Sequence, residues 1–150
     1  MTNDYTVRQV SLAETKAVRL DVLRRGTPVR EANYDGDDDP RTVHIGAELN
    51  GRVVATSTWL VVPWQGDPAA PAVQLRGMAV VDEMQNTGVG RALIEAGVAH
   101  ARSLDARFVW AKARDSAIYF YERCDFVVVG EQFMEPATGM PHHLVVLELR

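Results

Sequence analysis

The sequence predicts a mixed α/β fold in which helices cover a single mixed sheet. Three observations point there. Residues 42–49 alternate Val43, Ile45, Ala47 and Leu49 against Thr42, His44, Gly46 and Glu48, which is the period of a strand with two unlike faces. Residues 72–112 run from an apolar stretch through a glycine pair into a helical stripe and then into RFVWAK, the order of a right-handed β-α-β crossover between parallel strands. The chain has 150 residues, 47% hydrophobic and 24% charged, a globular composition able to bury the core of one domain spanning 1–150.

Taken in order, Tyr5 to Val10 reads as a first strand, and Ser11 stands at the N-cap of a helix carrying Leu12, Val18, Val22 and Leu23. Gly26-Thr27-Pro28 ends it, and a short helix or loop follows. Asp35, Asp37, Asp38 and Asp39 form an acidic run, read either as a solvated loop or as a field for a cationic substrate. The strand at 42–49 is joined to its partner, Arg52 to Val62, by Asn50-Gly51, a strong hairpin signal because both residues tolerate positive φ. A Pro- and Gly-rich loop, 63–71, leads to a fourth strand, Ala72 to Val81. The helix after Gly88 shows Leu93, Ile94, Gly97, Val98 and Ala101 on one face. Strand Arg107 to Lys112 precedes a helix, Ala117 to Cys124, capped by Asp115 or Ser116. Strands at Phe126 to Val129 and His143 to Leu149 complete seven.

A net charge of −4 argues against nucleic acid as partner, since phosphate binding usually shows as a basic excess. With Cys124 as the one cysteine there is neither an intramolecular disulfide nor a cysteine-based metal cluster, and no metal site is expected. No stretch reads as a secretion signal or approaches the roughly 18 apolar residues of a membrane span, so a cytoplasmic location is expected.

The chemistry centres on Met78 to Arg91, MAVVDEMQNTGVGR, a strand end, a turn and an exposed helix start. Such a start carries unpartnered N–H groups and a partial positive charge, suited to a phosphate, and Gly88 and Gly90 keep side chains out of the approach. The glycine pair alone is equally an ordinary tight turn. A Rossmann reading fails because Leu93 stands where a third glycine belongs.

Gln85-Asn86-Thr87-Gly88-Val89-Gly90 matches Q/R-x-x-G-x-G/A, and about thirty residues later Ala117-Ile118-Tyr119-Phe120-Tyr121-Glu122-Arg123-Cys124-Asp125-Phe126 is similar to A-x-x-F-Y-x-x-x-G-F. Together these resemble the GNAT superfamily of acetyl-CoA-dependent N-acetyltransferases, and the order β-α-(α)-β-β-β-α-β-α-β-β resembles its fold, about seven strands flanked by about four helices. The resemblance implies that backbone amides of Gln85, Asn86, Thr87, Gly88, Val89, Gly90 and Arg91 cradle the pyrophosphate of coenzyme A. It also implies that Met78, Ala79 and Val80 hold the pantetheine arm where the fourth and fifth strands part. Val18 to Gly26 with Met140-Pro141-His142-His143 resembles a bacterial subgroup of the family. Four positions depart from the family pattern: Asp82 for a proline, Thr87 for an arginine, Arg114 for an asparagine that contacts the cofactor, and Asp125 for a glycine. Arg114 is then expected to meet the pantetheine amide or a phosphate, or to face solvent.

By the same resemblance Tyr121 is the catalytic acid, since a phenol that titrates near about 10 can protonate a departing thiolate whose acid titrates near about 8.5. Tyr119 lies about 200° away around the helix and should point elsewhere. Glu48, His44, His142 and His143 are available as bases, and none is singled out. Cys124 is expected to be buried packing. The implied function is acetyl transfer from acetyl-CoA to a primary amine by direct attack in a ternary complex, on a small cationic amine. The alternative is a non-catalytic acyl-CoA-binding or protein-interaction domain of the same fold. Folds of this kind often pair through sheet edges or helices, which leaves room for a homodimer.

Overall fold

The computed structural model describes residues 4–25, 32–136 and 138–150. Its centre is a seven-stranded sheet formed by β1 (Thr6–Gln9), β2 (Val43–Leu49), β3 (Arg52–Val61), β4 (Ala72–Val80), β5 (Phe108–Arg114), β6 (Val127–Met134) and β7 (Pro141–Glu148), in the spatial order β1-β2-β3-β4-β5-β7-β6. β4 and β5 are parallel and the other neighbours antiparallel. The helices are α1 (Leu12–Val22), α2 (Val89–Ser103) and α3 (Ile118–Arg123). Among the described residues there are thus three α-helices where about four were expected. The stretch assigned to a short helix or loop falls on turns after residue 32, and residues 26–31 lie outside the described part.

Local chemistry accounts for most of these boundaries. Ser11 and Glu14 close a reciprocal capping box at the start of α1. Asn50 and Gly51 take positive φ, 53° and 79°, in the β2–β3 turn. β6 runs further than the sequence suggested because Gly130, at φ 77°, absorbs a register break between Val129 and Phe133, after which pairing resumes with Pro141 and His142. Pro141 fits at the first residue of β7, where its missing N–H costs least. Asp115 does not cap a helix with its side chain; a 3₁₀ turn at Asp115–Ala117 leads into α3, and its carboxylate binds His143 and Gln132 instead.

The two long helices cover opposite faces. On β3, successive side chains alternate, so Thr56 and Thr58 meet α1 while Trp59 meets α2. Thr56 donates to Thr15, and Thr58 accepts from Arg19. Trp59 is fully buried, and a Cβ on Gly97 would stand only 1.9 Å from its indole, so α2 can lie this close only with glycine there. None of the helices among the described residues is long and apolar enough to cross a membrane.

Candidate active site

β4 and β5 pair only from Ala72–Leu75 against Phe108–Ala111. Past that point β4 carries a bulge, seen as a register jump opposite Thr56 and Thr58, with Gly77 at φ 64°. Gly77 is needed for its conformation and for space: a Cβ there would stand 2.9 Å from the Tyr34 ring and 3.0 Å from Arg19 Nε. The edge of β4 from Gly77 to Val80 therefore faces β5 without a ladder to it, so the strands part as expected. A cavity of about 310 Å³ opens at this point. Its floor is Arg76, Gly77 and Met78 on β4 with Lys112, Ala113 and Arg114 on β5, and Tyr34, Tyr121 and His142 stand in its walls.

Of the three β4 residues assigned to the pantetheine arm, Ala79 is buried and Met78 and Val80 are half-buried, with backbone available along the unpaired edge. Gln85 donates through Nε2 to the Val80 carbonyl at 3.2 Å, which ties the turn back to that edge. Asn86 and Gly88 both take positive φ, 62° and 87°, and Thr87 closes the turn between them by donating to the Met84 carbonyl at 2.5 Å. Gly88 is the N-cap of α2, and a Cβ on it would meet nothing within 4 Å. The amides of Val89, Gly90 and Arg91 belong to the first turn and have no intrahelical acceptor. An oxyanion can thus approach Gly88 and the helix start directly.

Gly90 does something other than clear that approach. A Cβ there would lie 3.1 Å from the Phe120 ring, so its lack of a side chain admits α3 rather than a ligand. Arg91 is exposed, donates to the Arg123 carbonyl at 3.2 Å and lies 3.6 Å from Glu95. Asp82, where a proline was expected, pairs with Arg25 at 2.8 Å and ties the turn to the end of α1.

Tyr121 reaches the cavity from α3 and is only 6% exposed. Burial, with smaller contributions from Cys124 and Tyr34, pushes its phenol well above the usual range, so it stays protonated and able to donate. Tyr119 is 71% exposed on the other side of the helix. Asp125 takes φ 72°, adopting the left-handed conformation of the glycine it replaces, and Phe126 N–H returns to the Tyr121 carbonyl at 3.0 Å. Burial raises the Cys124 thiol, which keeps it from being a nucleophilic thiolate.

The four potential bases separate by position. Glu48 binds Arg8 at 2.7 Å. His44 is buried between Thr58 and the Asp37 carbonyl. His143 is held by Asp115 at 2.7 Å. Among these four, His142 lines the cavity. Its Nδ1 lies 2.9 Å from the Met140 carbonyl oxygen, which can only accept, so in the neutral ring Nδ1 carries the proton and Nε2 the lone pair.

Two sequence expectations change here. Asp37 is not part of a field for cations: it is 8% exposed and makes a two-point pair with the fully buried Arg19, at 2.8 and 2.9 Å. Asp39 pairs with Arg41, which leaves Asp35 as the residue of the run that lines the cavity. Arg114 does not simply face solvent: it is half-buried, lines the cavity and donates to the Leu23 carbonyl at 2.6 Å.

The profile of the Acetyltransferase (GNAT) family matches residues 12–126, from the first helix through the residue that closes α3. The chain belongs to the GNAT family. It is 24% identical over 140 residues to the uncharacterized N-acetyltransferase YitI of Bacillus subtilis, covering 93% of each chain. In fold it is similar to FeeM, an N-acyl amino acid synthase from uncultured soil microbes, at a TM-score of 0.81 and 11% identity over 98% of this chain and 92% of that one. It is also similar to Escherichia coli ElaA, at 0.74 and 18% over 95% and 97%. A GNAT domain is an acyltransferase that typically draws on an acyl-CoA, and the open helix start and unpaired β4 edge fit the diphosphate and the amide-bearing arm of such a thioester. Among the described residues no three His, Cys, Asp or Glu side chains are grouped to hold a metal.

Sequence reasoning passed over Tyr34, Arg76 and Lys112, because each matters only through partners on other elements. A faint signal existed in Arg76-Gly77, a cation beside a glycine inside an otherwise apolar strand.

Proposed function

We propose that this GNAT protein transfers an acetyl group from acetyl-CoA to a primary amine by direct attack in a ternary complex. One observation carries the reading: the unpaired β4 edge and the cavity that receives Tyr121 meet where β4 and β5 separate. In this reading Gln85 to Arg91 bind the pyrophosphate, with Gly88 the closest approach. Met78 to Val80 hold the pantetheine arm, and an amide of that edge faces the oxyanion.

The amine nitrogen attacks the thioester carbonyl carbon, the carbon–sulfur bond breaks, and an amide and a thiolate form. Tyr121 gives its phenolic proton to sulfur, and His142 Nε2 takes the proton released from nitrogen. Solvent returns the one and removes the other, so the sum is amine plus thioester to amide plus thiol. The departures at Asp125 and Thr87 are compatible with this chemistry, since both residues hold the local turns that the family pattern requires.

Among the structural neighbours an N-acyl amino acid synthase stands beside a glucosamine-6-phosphate N-acetyltransferase, so the fold leaves the acceptor to be read from this chain's own cavity. Release of free thiol from acetyl-CoA, followed across a panel of primary amines, tests the reading. Amine-dependent release is expected. Saturable acetyl-CoA binding with no release across the panel would establish the non-catalytic module instead.

A further inference from the structure

The cavity floor carries three cations without a carboxylate beside them. Among the described residues, the side chains of Arg76 and Lys112 take part in neither a hydrogen bond nor an ion pair, and the one side-chain hydrogen bond of Arg114 goes to a neutral carbonyl. The Arg76 guanidinium lies 4.2 Å from the centroid of the Tyr34 ring, which steadies the group and leaves its in-plane donors open. Burial, then the nearby charge of Arg24, lowers the pKa of Arg114, the mark of a cation held without a compensating anion. The two acids of the cavity, Asp35 and Glu135, sit on loops and pair with none of the three.

Register shows that these groups share one face of the sheet. Arg76 is opposite Thr58, and Thr58 binds Arg19 of α1. Gln74 is opposite both Leu60 and Trp110, and alternation from Trp110 puts Lys112 and Arg114 on that face too. His142, opposite Arg114, joins them. The helix start proposed for the pyrophosphate belongs to α2, which packs against Trp59 on the other face. The three cations are therefore separate from that cradle and line the cavity that Tyr121 also lines.

We propose that the acceptor amine also bears a carboxylate or a phosphate group, bound by Arg76 together with Lys112 and Arg114. Both anions present paired oxygens to a guanidinium fork, and an anion between the half-buried Arg76 and Arg114 and the exposed Lys112 relieves their mutual repulsion as well as adding charge-assisted hydrogen bonds. This assignment rests on the acetyl-transfer reading only in calling the ligand an acceptor. It replaces the cationic amine suggested by the acidic run.

The test separates binding from turnover. Protein saturated with coenzyme A is titrated calorimetrically with β-alanine, O-phosphoethanolamine and ethylamine, and the same amines are compared by kcat/KM with acetyl-CoA. At least one anionic amine is expected to bind about tenfold or more tightly than ethylamine, and which of the two does so separates carboxylate from phosphate. Arg76→Gln should abolish that preference; Lys112→Gln, at an exposed position, provides a second variant should the first not fold. Equal binding of all three amines, or a preference that both variants retain, would overturn the assignment even if every amine is acetylated. An anion preference that depends on Arg76, with no thiol release from any amine, would uphold the anion site and remove the acetyl-transfer reading.

Discussion

The Phe120 ring lies 3.1 Å from the place a Cβ on Gly90 would occupy. Two motifs about thirty residues apart are thereby packed into one unit, with the helix start proposed to receive a phosphate resting against the helix that carries Tyr121. The Phe120 and Tyr121 rings are themselves 5.3 Å apart, so displacement of one is felt by the other. Gly90→Ala should force the Phe120 ring aside by a few tenths of an ångström, destabilise by about 1–3 kcal/mol and lower kcat. Gly88→Ala has open space and costs about 1–2 kcal/mol through its left-handed backbone, and it should weaken acetyl-CoA binding with less effect on kcat. Urea denaturation and single-substrate kinetics on the two variants check the contrast.

Tyr121→Phe should lower turnover by roughly 10²–10⁴-fold while leaving the acetyl-CoA dissociation constant nearly unchanged. Because burial raises the phenol's pKa, Tyr121 should impose no falling alkaline limb on the wild-type rate below about pH 10. A wild-type limb that disappears in Tyr121→Phe would contradict that environment. His142→Gln should lower the amine-dependent rate by about 10² or more, with partial rescue by added imidazole, since the missing function is acceptance of a proton at Nε2.

The pair between Arg19 and Asp37 is structural. Arg19 also donates to the Ala32 carbonyl and to Thr58, each at 2.7 Å, so removing either partner strands a charge in the interior. Asp37→Asn should destabilise by about 3–5 kcal/mol. Burial raises the Asp37 carboxyl, but the hydrogen bonds and charge of Arg19 and the Tyr34 amide outweigh it and leave the pKa lowered. A lowered carboxyl contributes stability that is present above its unfolded value, near about pH 4, and is lost as pH falls through the folded value. Chemical denaturation below pH 4 should show that loss in the wild type and not in Asp37→Asn.

His44 adds a second dependence at higher pH. Its Nε2 lies 3.1 Å from the Asp37 carbonyl oxygen and so donates, which leaves Nδ1 to accept from the Thr58 hydroxyl at 2.8 Å. Burial, aided by the charge of Arg19 and opposed by the contacts with Asp37, lowers its pKa. The folded protein therefore favours the neutral ring, and stability should decline as pH falls from about 6.5, the unfolded value, through the folded one. His44→Gln should flatten that decline below about pH 6.5 while lowering stability at alkaline pH, as read from urea midpoints.

Features set by neighbours along the chain were legible in the sequence. These include the capping box at Ser11 and Glu14, the turn at Asn50-Gly51, the amphipathic run of α2, and the pairing of a glycine turn with an F-Y helix that marks the family. Each rests on a few consecutive backbone angles or on one helical period, so it can be read without knowing what lies across the fold. The tertiary structure alone decided the rest. Asp37 looked like one carboxylate of a solvated run until Arg19, eighteen positions away, was found beneath it. Gly90 read as a residue that keeps a side chain out of a phosphate's approach, and the fold shows its missing Cβ making room for Phe120. Arg76, Lys112 and Arg114 became one anion-binding floor only once a bulge at Gly77 parted two strands and register put all three on one face. Burial and charge pairing depend on distance in space, and a linear sequence does not contain that distance.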